Sequence, residues 1–335
     1  IRSLTDELEQ HTIEIRHEIH ANPELSFHEF ATSRIVCREL DRIGVPYEES
    51  PCKPGIIATI DSGKPGKFLM LRADMHACGH DIHTSNLLTV AEILNRTKDQ
   101  WKGKVKLVFQ PAEENGGGGR EMIKAGLMDE IPDACFALHV ENGIPGKIVV
   151  GSRYLTAYSD SYKITVHGKA AHSSTPEEGV DAVYIAASIV TALHGIISRN
   201  ISPMDRATLN VGMIHGGTAP NIIADEVTLG VMLRNLSKES REAMMKKIET
   251  ISNGIAESMG GSCDLAFRAG YAAVYNDEKF SDFVAATFRK YEDIIHEDLG
   301  DGKPEDWLIT GEHPLLGAED FGFYSQKAPS CMIWV

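Results

Sequence analysis

The segment HACGHD, residues 76–81, sets Cys78 and His80 two apart, with His76, Asp81 and His83 beside them. Thiolate, imidazole and carboxylate are the ligand set of zinc and its first-row neighbours. A second segment, QPAEENGGGG (110–119), adds the adjacent carboxylates Glu113 and Glu114. Together they describe a metal site with one carboxylate left over to handle protons, which is the equipment of a hydrolase. Metal-bound water has its pKa lowered to roughly 7, and a nearby carboxylate can pass its proton to a leaving nitrogen. Neighbours in a regular strand face opposite ways. In an irregular loop Glu113 and Glu114 can divide the work, one coordinating and one moving the proton. The glycines at 116–119 let backbone pack close to the ions or simply make a turn.

The elements around these segments explain how they could meet. Leu4, Leu8, Ile15 and Ile19 fall at near-helical spacing and predict a helix over 3–21, stopped by Asn22-Pro23. A second helix spans about 28–43, before Gly44. Apolar runs at 55–60, 68–71, 105–109 and 135–140 read as strands, with helices at about 83–94 and 120–125 between them. Such alternation is an α/β layer fold. Asp74 follows the 68–71 run, Glu113 and Glu114 follow 105–109, and His139 ends 135–140. Sites in open α/β sheets form beyond the carboxyl ends of strands, so these groups are expected at one edge. Singly, each has a plain reading: a buried thiol, a core histidine, a solvated Glu-Glu pair. Their joint occurrence at strand ends is harder to explain that way. His11, His17, His20, His28, His194 and His296 lie on helices or polar loops and read as structural or solvent-facing.

The pattern changes near residue 160. Strands at 161–166, 207–214, 226–234 and 264–274, with helices at 181–198 and 237–259, make the order β-α-β-β-α-β, a split βαβ arrangement. Ser237 is a plausible N-cap. This reads as a compact domain of residues 160–272 inserted between 1–159 and 273–335. A helix at 281–291 and a strand at 331–335 return to the first domain. The inserted stretch has its own cluster: His172 in GKAAHSS (168–174), Asn221 closing GGTAPN (216–221), and Arg234 at a strand end. These supply neutral and charged donors for an oxyanion and a carboxylate. His167 and His215 also sit at strand ends and rank below His172.

Composition bounds the partners. Among 335 residues, 33 are basic and 48 acidic, for a net charge of −15. That disfavours nucleic acid or an anionic membrane, which want basic patches. The six cysteines are scattered, as reduced thiols of a cytoplasmic protein would be. No stretch reads as membrane-spanning and no signal peptide is visible. The chain opens at Ile1 rather than methionine, so a preceding segment is expected.

The motifs HANPELSFHE (20–29), LRAD, HACGHD, QPAEE, LHV, GKAAHSS, GGTAPN and GAEDFGFY (317–324) resemble the amidohydrolase branch of the aminoacylase/carboxypeptidase metallopeptidase family, along nearly the whole chain. The resemblance implies a mixed-sheet catalytic domain holding two divalent metal ions, and a ferredoxin-like (βαββαβ) lid domain through which relatives form homodimers or higher homo-oligomers. Cys78 resembles the bridging thiolate; His80, Glu114 and His139 resemble further metal ligands. Glu113 resembles the general base, and Asp74 the carboxylate that orients a ligand. His172 resembles the oxyanion donor, often reaching the partner's site, and Asn221 and Arg234 resemble substrate-binding residues. Two departures stand out. Only Met75 separates Asp74 from His76, where relatives have a longer segment, and relatives continue past the equivalent of Val335 to a histidine that completes the metal set. Both are expected to be residues absent from this sequence.

The expected activity is hydrolysis of an N-acyl-amino acid to a carboxylic acid and a free amino acid, through a metal-bridging hydroxide and Glu113. A thiolate favours zinc, while carboxylates also suit manganese, cobalt or nickel. The alternatives are a dipeptidase or aminopeptidase of the broader family, and a non-catalytic metal- or ligand-binding relative.

Overall fold

The computed structural model describes residues 1–75, 79–299 and 304–335. They fall into two compact units. Ile1–Leu155, Val274–Pro314 and Glu319–Val335 form the first, and Thr156–Ala273 with Leu315–Ala318 form the second.

The first unit is built on an eight-stranded mixed sheet. Its strand order is Tyr47–Glu49, Ile56–Asp61, Lys104–Gln110, Phe68–Asp74, Ala134–His139, Ser330–Trp334, Ile148–Gly151, Leu308–Gly311. Phe68–Asp74 runs parallel to both Lys104–Gln110 and Ala134–His139. Sheets covered on both faces read as near-continuous apolar runs, and these central strands do. Alternate residues feed two cores. Leu107, Phe109 and Ala73 meet the helices Arg2–His20, Phe30–Ile43 and His80–Arg96 on one face. Val108 and Met70 meet Met122, Phe321 and Tyr324 on the other. The helix Phe30–Ile43 ends where Gly44 turns left-handed at φ 69° and its N–H returns to Leu40 and Asp41 carbonyls. The helix predicted at 281–291 begins earlier, as Glu278–Lys290. Asp277 caps it by accepting the Phe280 N–H at 2.8 Å.

The second unit has a four-stranded antiparallel sheet in the order Ala207–Gly216, Glu226–Asn235, Tyr158–His167, Ser262–Ala269. With the helices Ala182–Asn200 and Lys238–Ser258, the chain order is β-α-β-β-α-β. Tyr158–His167 alternates buried and less buried residues along its length, as a strand with one covered face must. Tyr162, Ile164 and Val166 pack with Ile185, Ile189 and Leu193 of one helix and Met244 and Ile248 of the other. Ser237 caps its helix by accepting the Ser240 N–H.

Two expectations need correction. The strand predicted over 264–274 spans Ser262–Ala269. It stops at Gly270, where a Cβ would lie 1.8 Å from the Ser159 carbonyl oxygen, and Val274 joins the core of the first unit. Among the described residues, one helix has the length and apolarity of a membrane span, where the sequence reading expected none: Ala182–Asn200, 19 residues with mean hydropathy 1.4. Its apolarity has a local use, because Ile185, Ile189, Leu193 and Ile196 are the face it buries on the sheet.

Candidate metal centre

The parallel strands of the first unit deliver Asp74, the 111–117 loop and His139 to one edge. Asp74 ends its strand and is fully buried. Its Oδ2 lies 3.2 Å from His83 Nδ1 and 3.8 Å from His80 Nε2. The imidazoles of His80, His83 and His139 cluster, with ring centroids 4.7 to 5.5 Å apart. His83 is committed at both nitrogens. Its Nε2 accepts the Val140 N–H at 3.0 Å, which leaves Nδ1 to donate to Asp74. It therefore has no lone pair for a metal and acts as a brace between the strands. His139 donates from Nδ1 to the Val140 carbonyl at 2.6 Å, which leaves the Nε2 lone pair for a ligand. Burial holds His139 below the ordinary imidazole range and His80 down to about 3. Both are neutral, as metal-ligating histidines must be.

Arg72 sits one turn of the pleat before Asp74 and faces a wall of acids. Its guanidinium pairs with Asp74 through Nη1, and Nη2 donates to Glu319 at 2.8 Å and Asp320 at 2.5 Å. Nε donates to the Gln110 amide oxygen at 3.0 Å, and Tyr324 donates to the same oxygen at 2.9 Å. Gln110 donates in turn to both Asp320 oxygens at 2.8 Å. Burial would raise the Asp74 carboxyl, but the Arg72 guanidinium, helped by the His83 hydrogen bond, outweighs it and holds it low. Glu319 has the opposite balance: burial, helped by Asp74 and Asp320, outweighs Arg72 and pushes it up to about 8.

Glu113 and Glu114 differ in burial. Glu113 is 5% exposed, whereas Glu114 is exposed. Burial, then Glu319, Asp320 and Asp74, push the Glu113 carboxyl up to about 11. The glycines serve a turn. A Cβ on Gly118 would lie 1.7 Å from the Pro111 carbonyl oxygen, so only glycine lets the chain double back there. Gly119 N–H then donates to Asp320 Oδ2 at 2.8 Å.

The donor set fits divalent cations. Three overlapping triads bring one ligand atom from each member within 4.8 Å: Asp74, His139 and Glu319; His80, Glu113 and Glu114; Glu113, Glu319 and Asp320; a fourth, Asp74 with His80 and His83, meets the same distance but its His83 nitrogens are already engaged. In this cluster four buried acids, Asp74, Glu113, Glu319 and Asp320, surround the one buried guanidinium among the described residues, that of Arg72. Buried acids crowded together hold protons unless cations replace them, and nitrogen and oxygen donors in such a cluster suit two divalent ions. Cys78 and His76 lie outside the described residues.

The second unit carries the other candidates. His172 pairs with Ile222, and the Ser173 N–H donates to the Asn221 carbonyl at 3.0 Å, so His172 and Asn221 lie side by side. Ser174 N–H donates to His172 Nδ1 at 3.2 Å, which puts the imidazole proton on exposed Nε2. Arg234 is elsewhere. It pairs with Ser159 at the end of the ladder opposite the Glu226–His167 pair. The Gly168–Asp225 bond and the Ala171–Ile223 pair extend that ladder towards His172. At about 3.3 Å per residue, Arg234 is roughly 26 Å from that end. One copy of this unit does not bring the three residues together.

Arg72, Gln110, Glu319, Asp320 and Tyr324 were not singled out by residue type or spacing. LRAD and GAEDFGFY contain four of them, and the adjacent acids Glu319 and Asp320 are the same kind of signal as Glu113 and Glu114.

The chain is similar to known proteins along most of its length. The model of Peptidase family M20/M25/M40 matches residues 62–335. A hippurate hydrolase of Campylobacter jejuni is 33% identical over 93% of this chain and 84% of its own length. Thermostable carboxypeptidase 2 of Saccharolobus solfataricus is 34% identical over 96% of this chain and 85% of its own. The YXEP protein of Bacillus subtilis, described as a dinuclear metal binding peptidase from the M20 family, superposes with a TM-score of 0.82 at 27% identity. That match covers 98% of this chain and 89% of that one. A buried donor cluster at the carboxyl edge of a mixed sheet and these matches have one explanation: the chain belongs to peptidase family M20/M25/M40, as a metal-dependent amidohydrolase.

Proposed function

We propose that the chain hydrolyses N-acyl-amino acids to a carboxylic acid and a free amino acid, with Glu113 as general base. The observation that carries this is a nearly buried Glu113 whose carboxylate lies within 4.8 Å of His80 and Glu114 donor atoms. Cys78, His80, Glu114 and His139 would hold the two ions, with zinc or manganese preferred and cobalt or nickel acceptable. Bound there, the ions supply Lewis acidity and an acidified water. With ions bound, their charge would offset the neighbouring acids that push Glu113 up and leave it ionised, so that Glu113 would take the proton from the attacking water and return it to the leaving nitrogen. Asp74 orients the imidazoles through His83. The exposed Nε2–H of His172 suits a developing oxyanion, and Asn221 and Arg234 suit the substrate's amide and carboxylate.

The hippurate hydrolase relative and the N-acetylcysteine deacetylase of Bacillus subtilis, 29% identical over 96% of this chain, favour acylated substrates. The Saccharolobus relative is named a carboxypeptidase, so peptides with a free amine belong in the test. A panel of N-acetyl- and N-benzoyl-amino acids against dipeptides, each with Mn²⁺, Zn²⁺, Co²⁺ or Ni²⁺, is expected to show turnover of the acylated set. Turnover confined to free-amine peptides would reverse the reading.

A homodimer through the second unit is part of this proposal. The edge strand Ala207–Gly216 has one unpaired side, and Met213 and Ile214 are 56% and 54% exposed on it. Such edges invite pairing. Separation of Arg234 from His172 and Asn221 also suits a site completed by a second copy. Sedimentation velocity is expected to give a dimer that Met213→Lys dissociates; a monomeric wild type would refute it.

A further inference from the structure

We propose that Glu29 is a positioning residue for Glu113, acting through the backbone of Ala112; this rests on Glu113 being the general base. Glu29 closes the HANPELSFHE segment and sits at the N-cap of the helix Phe30–Ile43. A residue there ordinarily turns its side chain to its own helix. Here Glu24 performs that task, its carboxylate accepting the Ala31 and Thr32 N–H groups at 2.8 Å each. Glu29, with no exposed surface, instead accepts the Ala112 N–H at 2.8 Å, 83 residues along the chain.

Ala112 is the residue that needs holding. It is fully buried with φ 57°, a left-handed conformation that residues with a Cβ rarely adopt. Such strain persists only where the surroundings over-determine it, and it clusters at functional sites. Both polar groups of Ala112 are tied: N–H to Glu29, and carbonyl to the Gly118 N–H at 3.2 Å. Phe27, at φ 64°, closes on the same loop, so a Cβ on Gly116 would lie 2.3 Å from its Cε2. The next residue is Glu113, and the left-handed turn sets where its carboxylate goes. Relaxation of Ala112 to negative φ would swing the base away from His80 while leaving His80 and His139 in place.

The test is steady-state kinetics on an N-acetyl-amino acid, with metal content measured by mass spectrometry on the same samples. Glu29→Ala is expected to lower kcat about 30-fold or more, with KM within about threefold and metal content retained, because the loss falls on the chemical step. Glu29→Gln keeps a carbonyl acceptor and is expected within about fivefold of wild type. Adding Ala112→Gly to Glu29→Ala is expected to recover about tenfold, since glycine holds φ 57° without strain. If Glu29→Ala does not fold, Glu29→Asp, which keeps the charge and withdraws the acceptor, carries the same comparison. Wild-type kcat in Glu29→Ala beside an inactive Glu113→Gln overturns the positioning role and leaves the base intact. Equal losses in Glu29→Ala and Glu29→Gln, unmoved by Ala112→Gly, also overturn it. Normal turnover in Glu113→Gln removes the base and this proposal with it.

Discussion

Glu113→Gln is expected to lower kcat by about 10²–10⁴-fold, the contribution of a positioned acid–base group, while the protein stays folded and keeps its metal. The two side chains have nearly the same volume, and Glu113 is 5% exposed in a tight loop, so packing survives. Gln cannot take a proton from water or return one to nitrogen. It also removes one of four buried acids around a single guanidinium, so stability should hold or rise. Turnover, metal content and the thermal midpoint of the same sample separate the two roles. Loss of metal together with activity would make Glu113 a ligand, and near-normal turnover would remove it from the mechanism.

Arg72→Met is expected to destabilise the first unit by about 3–5 kcal/mol, the range for breaking one side of a buried ion pair. Met approximates the stem of Arg72 but leaves Asp74, Glu319 and Asp320 buried without their shared cation. Arg72→Lys should recover part of the loss, since a point charge cannot reproduce the fork that reaches Gln110, Glu319 and Asp320 together. Urea unfolding of the three proteins, each with metal removed, measures this. A shift below about 1 kcal/mol for Arg72→Met would mean that the acids hold protons instead of relying on Arg72.

Much of the fold was readable because its signals are local. Apolar runs with helical stretches between them mark a covered parallel sheet, and a parallel sheet brings its carboxyl ends together. That reasoning reached Asp74, Glu113 and His139 without coordinates. It stopped where the physics became long-range. Arg72 and Glu319 are 247 residues apart, and nothing in either local sequence says that one neutralises the other. The role of His83 needed both of its hydrogen bonds, and that of Glu29 needed the φ of Ala112. The apolarity of Ala182–Asn200 was likewise explained only by the sheet it covers.

The acid wall has a consequence for how the protein is made. Asp74, Gln110 and Glu113 emerge from the ribosome early, but Glu319 and Asp320 follow the whole stretch that builds the second unit. At roughly 5–20 residues per second, the Arg72 cation waits on the order of 12–50 s for its last two anions. Until they arrive Arg72 has Asp74 alone of its three paired acids, and Glu319 and Asp320 complete the set. The complete Arg72 ion-pair set is therefore a property of the finished polypeptide, with the residues of the second unit setting the delay between its first and last members.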